Sequence, residues 1–236
     1  CFWTEDDDGS VMDIDAIAAE AKKVAAGDSA AVSKYTAWMN ADHRFYVKWY
    51  DQGVLEPEGG LLKNAYSTYE VRIIGINHDT VPSSYGGGKA GLTFQFVDLL
   101  KDKYRMNATA TNAGGWRDSE LRARMNNGNQ SPPYGTDDNA IWNQIPLPLQ
   151  NSAKVVAKTS LSNATTGATA PTWERVFIAG YSELATINYP PSEILEGSVS
   201  QEGPTYAYYK RFNTDGSSGA GQDHNNPSLV KRRLGS

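Results

Sequence analysis

Residues 66–125 read YSTYEVRIIGINHDTVPSSYGGGKAGLTFQFVDLLKDKYRMNATATNAGGWRDSELRARM, and this stretch contains the clearest structural signals in the 236-residue chain. Glu70–Asn77 is dense in Val and Ile and predicts a buried strand. Leu92–Leu99 alternates apolar with polar residues and predicts a second strand. The Gly-rich segment Ser83–Gly88 predicts a turn, so the two runs together indicate a β-hairpin with a long tip. Asp118 is predicted to cap a short helix that follows.

The residues that precede the hairpin predict two helices and a strand. Ser10 and the residues after it fit a capping box, and apolar side chains then recur at helical spacing over residues 11–26. Asp28 can cap a second helix that runs to Trp38. The alternating segment Phe45–Tyr50 predicts a strand.

A soft domain boundary is predicted near residue 65. Pro57, Gly59 and Gly60 interrupt the patterns on either side of them. We therefore expect an N-terminal helical or docking module over residues 1–65 and a main domain over residues 66–236. The sequence contains no internal repeat that would argue for further subdivision.

The patterns after the short helix are less regular. A helix is expected over residues 138–145, and Lys154–Thr159 is compatible with a helix or a strand, with the strand favoured. Residues 160–172 are rich in Ser, Thr and Ala and predict a loop, whereas Glu174–Gly180 predicts a central strand. Residues 213–228 contain few apolar side chains and are expected to be mobile.

Composition excludes several classes of protein. The chain has 22 Lys and Arg against 27 Asp and Glu, a net charge of −5, whereas a nucleic-acid-binding protein needs a basic face. Apolar runs such as Val71–Ile76 are too short to span a bilayer. The single cysteine, Cys1, leaves no intrachain disulfide. Two interpretations of Cys1 stay open: a fragment boundary, which is favoured, or the lipidated N-terminus of a bacterial lipoprotein.

Three motifs that carry chemistry in other proteins are incomplete here. Gly86–Lys89 lacks the first Gly and the final Ser or Thr of a phosphate-binding loop, and it precedes a strand rather than a helix. Gly180–Leu184 lacks the second Gly of a nucleophile elbow. Asp6–Gly9 resembles part of a calcium loop, but Thr4 and Asp15 occupy its first and last ligand positions. The sequence therefore predicts no catalytic residue and no enzyme.

His78 and Asp79 form the most site-like pair in the sequence. They follow a predicted strand, where a His that bonds a carboxylate can lock a turn. This structural role is favoured over a metal site, for which His78 and Asp79 are weak candidates, because no two histidines have a metal-ligand spacing. No cofactor is predicted, and the ligand-binding residues stay unassigned.

A set of short phrases is distributed along nearly the whole chain. They are Phe2-Trp3, Asp8–Ser10, Asn77–Asp79, Gly88–Phe94, Arg105–Asn107, Gly114–Arg122, Leu147–Gln150, Lys158–Ser160, Arg175–Ile178 and Ser182-Glu183. In combination they resemble a family of domains found in gut bacteria and their phages, which has a C-type-lectin-like fold and no demonstrated catalysis.

This resemblance implies an α+β protein with a C-type-lectin-like mixed sheet and flanking helices, preceded by a small helical N-terminal module. Family members continue into a Trp-Trp-Leu-Arg-Ser-Pro-like segment and further strands. The present sequence ends at Ser236, where that segment would begin. The C-terminal strands of the fold are therefore expected to be missing.

The resemblance also implies a non-enzymatic binding protein of a phage tail or virion surface. Its expected partners are a bacterial surface receptor, protein or glycan, and other virion proteins, with homo-oligomers left open. The alternative is a bacterial cell-surface lipoprotein or adhesin, in which Cys1 would be lipidated. An enzyme related to formylglycine-generating enzymes would need reactive cysteines, and the lone Cys1 argues against it.

Overall fold

The predicted hairpin forms one edge of a five-stranded antiparallel sheet in the computed structural model of the chain. The structure describes residues 2–50, 66–111, 113–126, 141–163, 168–184 and 202–211. The strands are β1 (Phe2–Glu5), β2 (Val11–Asp13), β3 (Phe45–Tyr50), β4 (Tyr66–Ile76), β5 (Leu92–Phe96), β6 (Val156–Asn163) and β7 (Ala168–Glu174). The α-helices are α1 (Ile14–Ala25), α2 (Ser29–Asn40), α3 (Glu120–Met125), α4 (Leu147–Ser152), α5 (Tyr181–Leu184) and α6 (Ala207–Lys210), and short 3-10 helices cover Ser83–Tyr85 and Trp142–Gln144.

The strands of the sheet lie in the order β2-β1-β3-β4-β5, and each pairing is antiparallel. Two of these pairings, β1–β2 and β4–β5, are hairpins of strands that follow each other in the chain, and the strands of a hairpin run in opposite directions. The α+β class is therefore confirmed. The resemblance implies a mixed sheet, and this expectation is wrong for the described strands, because all of their pairings are antiparallel. None of the described helices combines the length and the apolar character needed to cross a membrane.

Helix α1 begins later than the capping box predicts. Residues 11–13 pair with β1, Met12 opposite Thr4, so they are extended rather than helical. The N-cap is Asp13, whose Oδ1 accepts a hydrogen bond from the N–H of Ala16 at 3.0 Å. The prediction of Ser10 as the cap is wrong because cross-strand pairing continues past it.

Helix α2 and strand β3 form as predicted, and α3 is capped one residue later than predicted. Asp28 caps α2 through a 2.8 Å hydrogen bond from Ala31. For α3 the cap is Ser119, whose Oγ accepts from the N–H of Arg122. The predicted cap, Asp118, forms an ion pair with Arg117 instead.

Helix α1 packs directly onto the β4–β5 hairpin. The Nδ2 of Asn77 donates to the carbonyl of Val24 at 2.8 Å, and Asn77 has a φ of 50°. Gly91 has a φ of +83°, and a Cβ at this position would lie 2.2 Å from the carbonyl oxygen of Ala21. The described residues before and after the predicted boundary near residue 65 thus share one sheet and one core. The division into two domains stays a prediction.

The core under the sheet is built from aromatic rings. Phe45 of β3 is fully buried, and its ring centroid lies 4.9 Å from that of Phe94 and 5.9 Å from that of Phe2. Trp38 of α2 contacts Phe45 edge-on. Interlocked rings of this kind stabilise a fold mainly through the apolar area they remove from water.

Strands β6 and β7 form a separate two-stranded antiparallel hairpin. The favoured strand at Lys154–Thr159 is confirmed by β6, whereas the predicted loop over residues 160–172 is wrong in its described part. The predicted central strand Glu174–Gly180 is also wrong beyond Glu174. The Oδ1 of Asn126 accepts the N–H groups of Arg175 and Val176 at 2.8 and 3.1 Å, and these bonds end the strand.

Candidate functional site

Five buried polar residues from distant parts of the chain meet beside the β4–β5 hairpin. They are Asp79, Thr93, Lys158, Glu183 and Tyr206, each at most 8 % exposed, and we call them the Lys158 cluster. Burying charged groups is unfavourable unless they are paired and hydrogen-bonded. The contacts within the cluster therefore decide what it can do.

Lys158 lies at the centre of these contacts. Its Nζ donates to Asp79 Oδ1 at 3.1 Å and to the hydroxyl of Tyr206 at 3.0 Å, and it also bonds Glu183 Oε1. The Tyr206 hydroxyl lies 3.0 Å from both oxygens of Asp79. The hydroxyl of Thr93 donates to Asp79 Oδ2 at 2.5 Å. The three donors of the ammonium are thus all used within the cluster.

Local structure holds each member in place. Asp79 follows the left-handed Asn77 at the end of β4, and its backbone carbonyl accepts from Ala90 across the hairpin. The Oε2 of Glu183 accepts the N–H of Gly180 at 2.8 Å. The N–H of Tyr206 donates to the Glu183 carbonyl. Two hairpins and two short helices are therefore joined at one point.

Burial shifts the protonation equilibria in and around the cluster. Desolvation raises the pKa of the Glu183 carboxyl in spite of the opposing charge of Lys158. Burial likewise raises the pKa of the Tyr206 hydroxyl and keeps it protonated. The imidazole of His78 stacks on Tyr206 at 3.9 Å, and burial lowers its pKa. His78 is thus held against the cluster in its neutral form near neutral pH.

The structure brings the two predicted metal candidates close to a third potential ligand. Among the described residues, His78, Asp79 and Glu183 form a group whose ligand atoms lie within 4.8 Å of one another. The ammonium of Lys158 bonds both carboxylates of this group. It therefore already supplies the positive charge that a metal ion would bring to these carboxylates.

A second buried ion pair lies next to α3. Arg122 and Glu174 are both fully buried and bond each other through Nε and Oε1. Asn126 Nδ2 donates to Glu174 Oε2 at 2.8 Å. Burial raises the pKa of Glu174 against the opposing effect of Arg122. This pair ties α3 to β7, and its charged atoms contact each other rather than open space.

The outer face of the sheet presents half-buried and exposed aromatic rings. They belong to β1, β3 and β4, and together with one lysine they form what we call the aromatic patch: Trp3, Tyr46, Lys48, Tyr50 and Tyr66. Trp3 stacks on Tyr46 with centroids 5.6 Å apart. The ammonium of Lys48 lies 4.4 Å from the ring centre of Tyr66, which is 42 % exposed. Near Arg72 the same face is instead covered by Tyr208 of α6.

Other motifs from the sequence take structural positions. Gly86, Gly87 and Gly88 all have positive φ and form the tip of the hairpin, as predicted. Ser182 is buried, and its hydroxyl donates to the carbonyl of Gly203 at 2.8 Å. Cys1 and residues 213–228, which carry the lipidation and mobility predictions, lie outside the described residues.

Sequence reasoning missed most of the Lys158 cluster. Local patterns do not mark Lys158, Glu183 or Tyr206 as site residues, because the side chains they bond within the cluster lie 25 to 127 positions away in the chain. One signal is present in the sequence: in the strand favoured for KVVAKT, Lys158 shares a face with Val156, because side chains two positions apart lie on the same side of a strand. A lysine in that position needs a buried carboxylate, but the sequence does not say which one.

Comparison with known proteins identifies no relative of this chain. No family model matches the chain, and no curated protein or solved structure matches it either.

Proposed function

We propose that this chain is a non-enzymatic binding protein with a C-type-lectin-like fold, located on the tail or virion surface of a gut phage, and that it recognises a bacterial surface receptor. The proposal is supported by the phrases that resemble the family along nearly the whole sequence. It is also supported by the buried ion pairs, whose charged groups are already bonded to one another.

The observation that carries the proposal is the aromatic patch. Tyr and Trp side chains supply large contact areas with few rotatable bonds, which is why they are enriched in binding surfaces. In the patch they come from three adjacent strands, with Trp3 opposite Tyr46 and Tyr50 opposite Tyr66. Lys48 and the phenolic hydroxyls add hydrogen-bonding groups. A rigid sheet thus presents both apolar and polar contacts to a receptor.

The proposal is tested by binding to whole bacteria. Purified, fluorescently labelled protein is mixed with gut bacterial isolates, and bound protein is measured by flow cytometry. We expect binding to a subset of strains, and we expect Tyr66→Ala and Trp3→Ala to reduce it by about tenfold, because single aromatic anchors dominate interfaces. Tyr85→Ala is the matched control, since Tyr85 is 39 % exposed at the hairpin tip, outside the patch.

Equal loss in the Tyr85 variant, or no binding to any strain, would contradict the proposal. Mass spectrometry of purified virions decides the location. Recovery of the polypeptide from virions supports a tail or virion-surface protein. Recovery from bacterial envelopes with diacylglycerol on Cys1 would instead favour the lipoprotein or adhesin.

A further inference from the structure

A cavity of about 580 Å³ lies between the inner face of the sheet, helix α1 and the residues around α4 and after β7. Its volume falls within the range of about 300–1,000 Å³ that small-molecule sites occupy. Most of its wall is apolar and aromatic, with Phe2, Trp49, Phe94, Phe96 and Phe177 among the lining side chains. The receptor-binding proposal does not use this cavity, and the two can stand or fall separately.

The charged side chains that line the cavity are mainly positive. Lys22, Lys89, Lys154 and Arg175 line it, against the carboxylates of Asp79 and Asp98. The oxygens of Asp79 are already occupied by Lys158, Tyr206 and Thr93. The ammonium of Lys89 is likewise occupied by the His78 carbonyl and Thr80. In a chain with a net charge of −5, the remaining three cations against the single carboxylate of Asp98 make the cavity complementary to an anion.

Arg175 provides the most specific signal. Its guanidinium lies 5.7 Å from the ring centre of Trp142, another residue of the cavity wall. Its Nε is buried, and none of the described residues accepts a hydrogen bond from it. Buried N–H groups in folded proteins nearly always have an acceptor. Because Nε is shielded by its neighbours, a bound molecule would meet Arg175 at the part of its side chain that lines the cavity, and a guanidinium binds carboxylate and phosphate groups well.

We propose that this cavity binds an amphipathic anion, with the apolar body against the aromatic wall and the anionic head group on Arg175. The aromatic wall removes the apolar part of the ligand from water. The guanidinium gives the head group a charge-assisted hydrogen bond, and the surrounding lysines add attraction. A cationic or a neutral amphiphile of the same shape would gain neither the charge-assisted hydrogen bond nor the attraction to the lysines.

The experiment uses four amphiphiles of equal chain length on the full chain: dodecanoate, dodecyl phosphate, dodecanol and dodecyltrimethylammonium. Binding is measured by titration calorimetry and by the fluorescence of Trp49 and Trp142, both of which line the cavity. We expect saturable binding of at least one anion, about tenfold or more tighter than that of dodecanol, because hydrogen bonds to charged groups contribute this much. The anion that binds more tightly, dodecanoate or dodecyl phosphate, identifies the preferred head group as carboxylate or phosphate.

Two variants separate the head-group contact from the apolar wall. Arg175→Gln removes the guanidinium, and we expect the preference for the anion over dodecanol to fall to about twofold or less while dodecanol binding is retained. Ala18→Phe places a ring in the cavity from α1 and is expected to weaken binding of every amphiphile. Ala19→Phe is its matched control, because Ala19 is exposed on the same helix.

The proposal is overturned if neither anion binds saturably, or if dodecanol or the cationic amphiphile binds as tightly as the anions. It is equally overturned if Arg175→Gln keeps the full preference for the anion. Circular dichroism checks that each variant is folded. If Ala18→Phe does not fold, the comparison of anion with alcohol in the Arg175 variant still decides the question.

Discussion

The aromatic core under the five-stranded sheet and the Lys158 cluster stabilise the same fold by different means. In the core, Phe2, Phe45 and Phe94 pack as rings whose attraction has little directional requirement. In the cluster, Lys158 and Asp79 are held by hydrogen bonds that require each donor to meet its acceptor. The core therefore tolerates approximate replacement of a side chain, and the cluster does not.

Substitutions destabilise the aromatic core and the Lys158 cluster for different reasons. Loss of part of a core ring leaves a cavity, and its cost grows with the volume lost. Loss of the central cation leaves two carboxylates buried without a counter-charge, and its cost is set by desolvation. Substitutions that keep side-chain volume should therefore separate the two regions.

The largest effect is expected from Lys158→Met, which keeps most of the side-chain volume but removes the ammonium. We expect it to lower the free energy of unfolding by about 3–5 kcal/mol, as for other buried pairs that lose one partner. Urea denaturation followed by circular dichroism measures the change. A loss below about 1 kcal/mol would mean that the cluster is not a buried ion network.

Two companion variants sharpen this result. Lys89→Met removes an exposed lysine and should cost about 0–1 kcal/mol. Adding Glu183→Gln to Lys158→Met removes one of the two uncompensated carboxylates, so the double variant should be more stable than Lys158→Met alone. If the double variant instead lost the sum of the two single-variant stability losses, the cluster would not be a coupled ion network.

The next largest effect is expected at Gly91, where helix α1 packs on the β4–β5 hairpin. Gly91→Ala combines a left-handed φ with a Cβ 2.2 Å from the Ala21 carbonyl oxygen, and we expect a loss of about 2–3 kcal/mol in the free energy of unfolding. Gly88→Ala has a similar φ of +81° but open space around the Cβ, so it should cost only about 1 kcal/mol. Equal losses in thermal or urea unfolding would show that α1 does not pack this closely on the hairpin.

A smaller effect is expected for Phe45→Leu in the aromatic core. This change removes part of one ring from a fully buried position, and we expect a loss of about 1–2 kcal/mol in the free energy of unfolding. The comparison with Lys158→Met is the direct test of how the regions differ, since both substitutions are conservative in volume. If Phe45→Leu proved the more costly of the two, the contrast between the regions would be wrong.

The smallest effect is expected in the pH dependence of stability, to which Glu183 and His43 contribute with opposite signs. The pKa of Glu183 is raised in the folded state by burial, so its contribution to stability is complete below its ordinary value of 4.5 and is lost as the pH rises through the folded value. Burial lowers the pKa of His43, which stacks on Trp38 in the aromatic region. Its contribution is complete above 6.5 and is lost as the pH falls through the folded value.

Urea midpoints measured from about pH 4 to pH 8 for the wild type, Glu183→Gln and His43→Gln separate these contributions. The stability of Glu183→Gln relative to the wild type should increase as the pH rises. The stability of His43→Gln relative to the wild type should increase as the pH falls. His78 has a lowered pKa like His43, but it is present in all three proteins and cancels in the differences. A difference of the opposite sign in either variant would show that its pKa shift has been assigned wrongly.

Predictions from the sequence were accurate where short-range patterns decide the structure. Phe45–Tyr50 alternates in strict register with one buried face, and β3 has the predicted bounds. Asp28 caps α2 because a side-chain acceptor next to a helical segment satisfies free N–H groups wherever the rest of the fold lies. The β4–β5 hairpin was likewise predicted from two apolar runs and a Gly-rich turn.

Predictions failed where another segment of the chain competes for the same backbone groups. Ser10 fits a capping box, but residues 11–13 pair with β1 instead. The strand predicted after Glu174 ends because the side chain of Asn126, 49 positions away, binds the N–H of Arg175. The residues of β1 that pair with residues 11–13 lie only 6 to 10 positions away, whereas Asn126 lies far outside any local window around Arg175.

The sequence alone determined the α+β class, the central hairpin, helix α2 and strand β3, because the spacing of apolar side chains and the capping groups act within a few residues. Only the tertiary structure brought Asp79, Lys158, Glu183 and Tyr206 into one cluster and left the Nε of Arg175 without an acceptor among the described residues, next to an aromatic cavity. Hydrogen bonds and cavities depend on distances in space, and residues up to 127 positions apart in the chain acquire those distances only when the strands and helices pack.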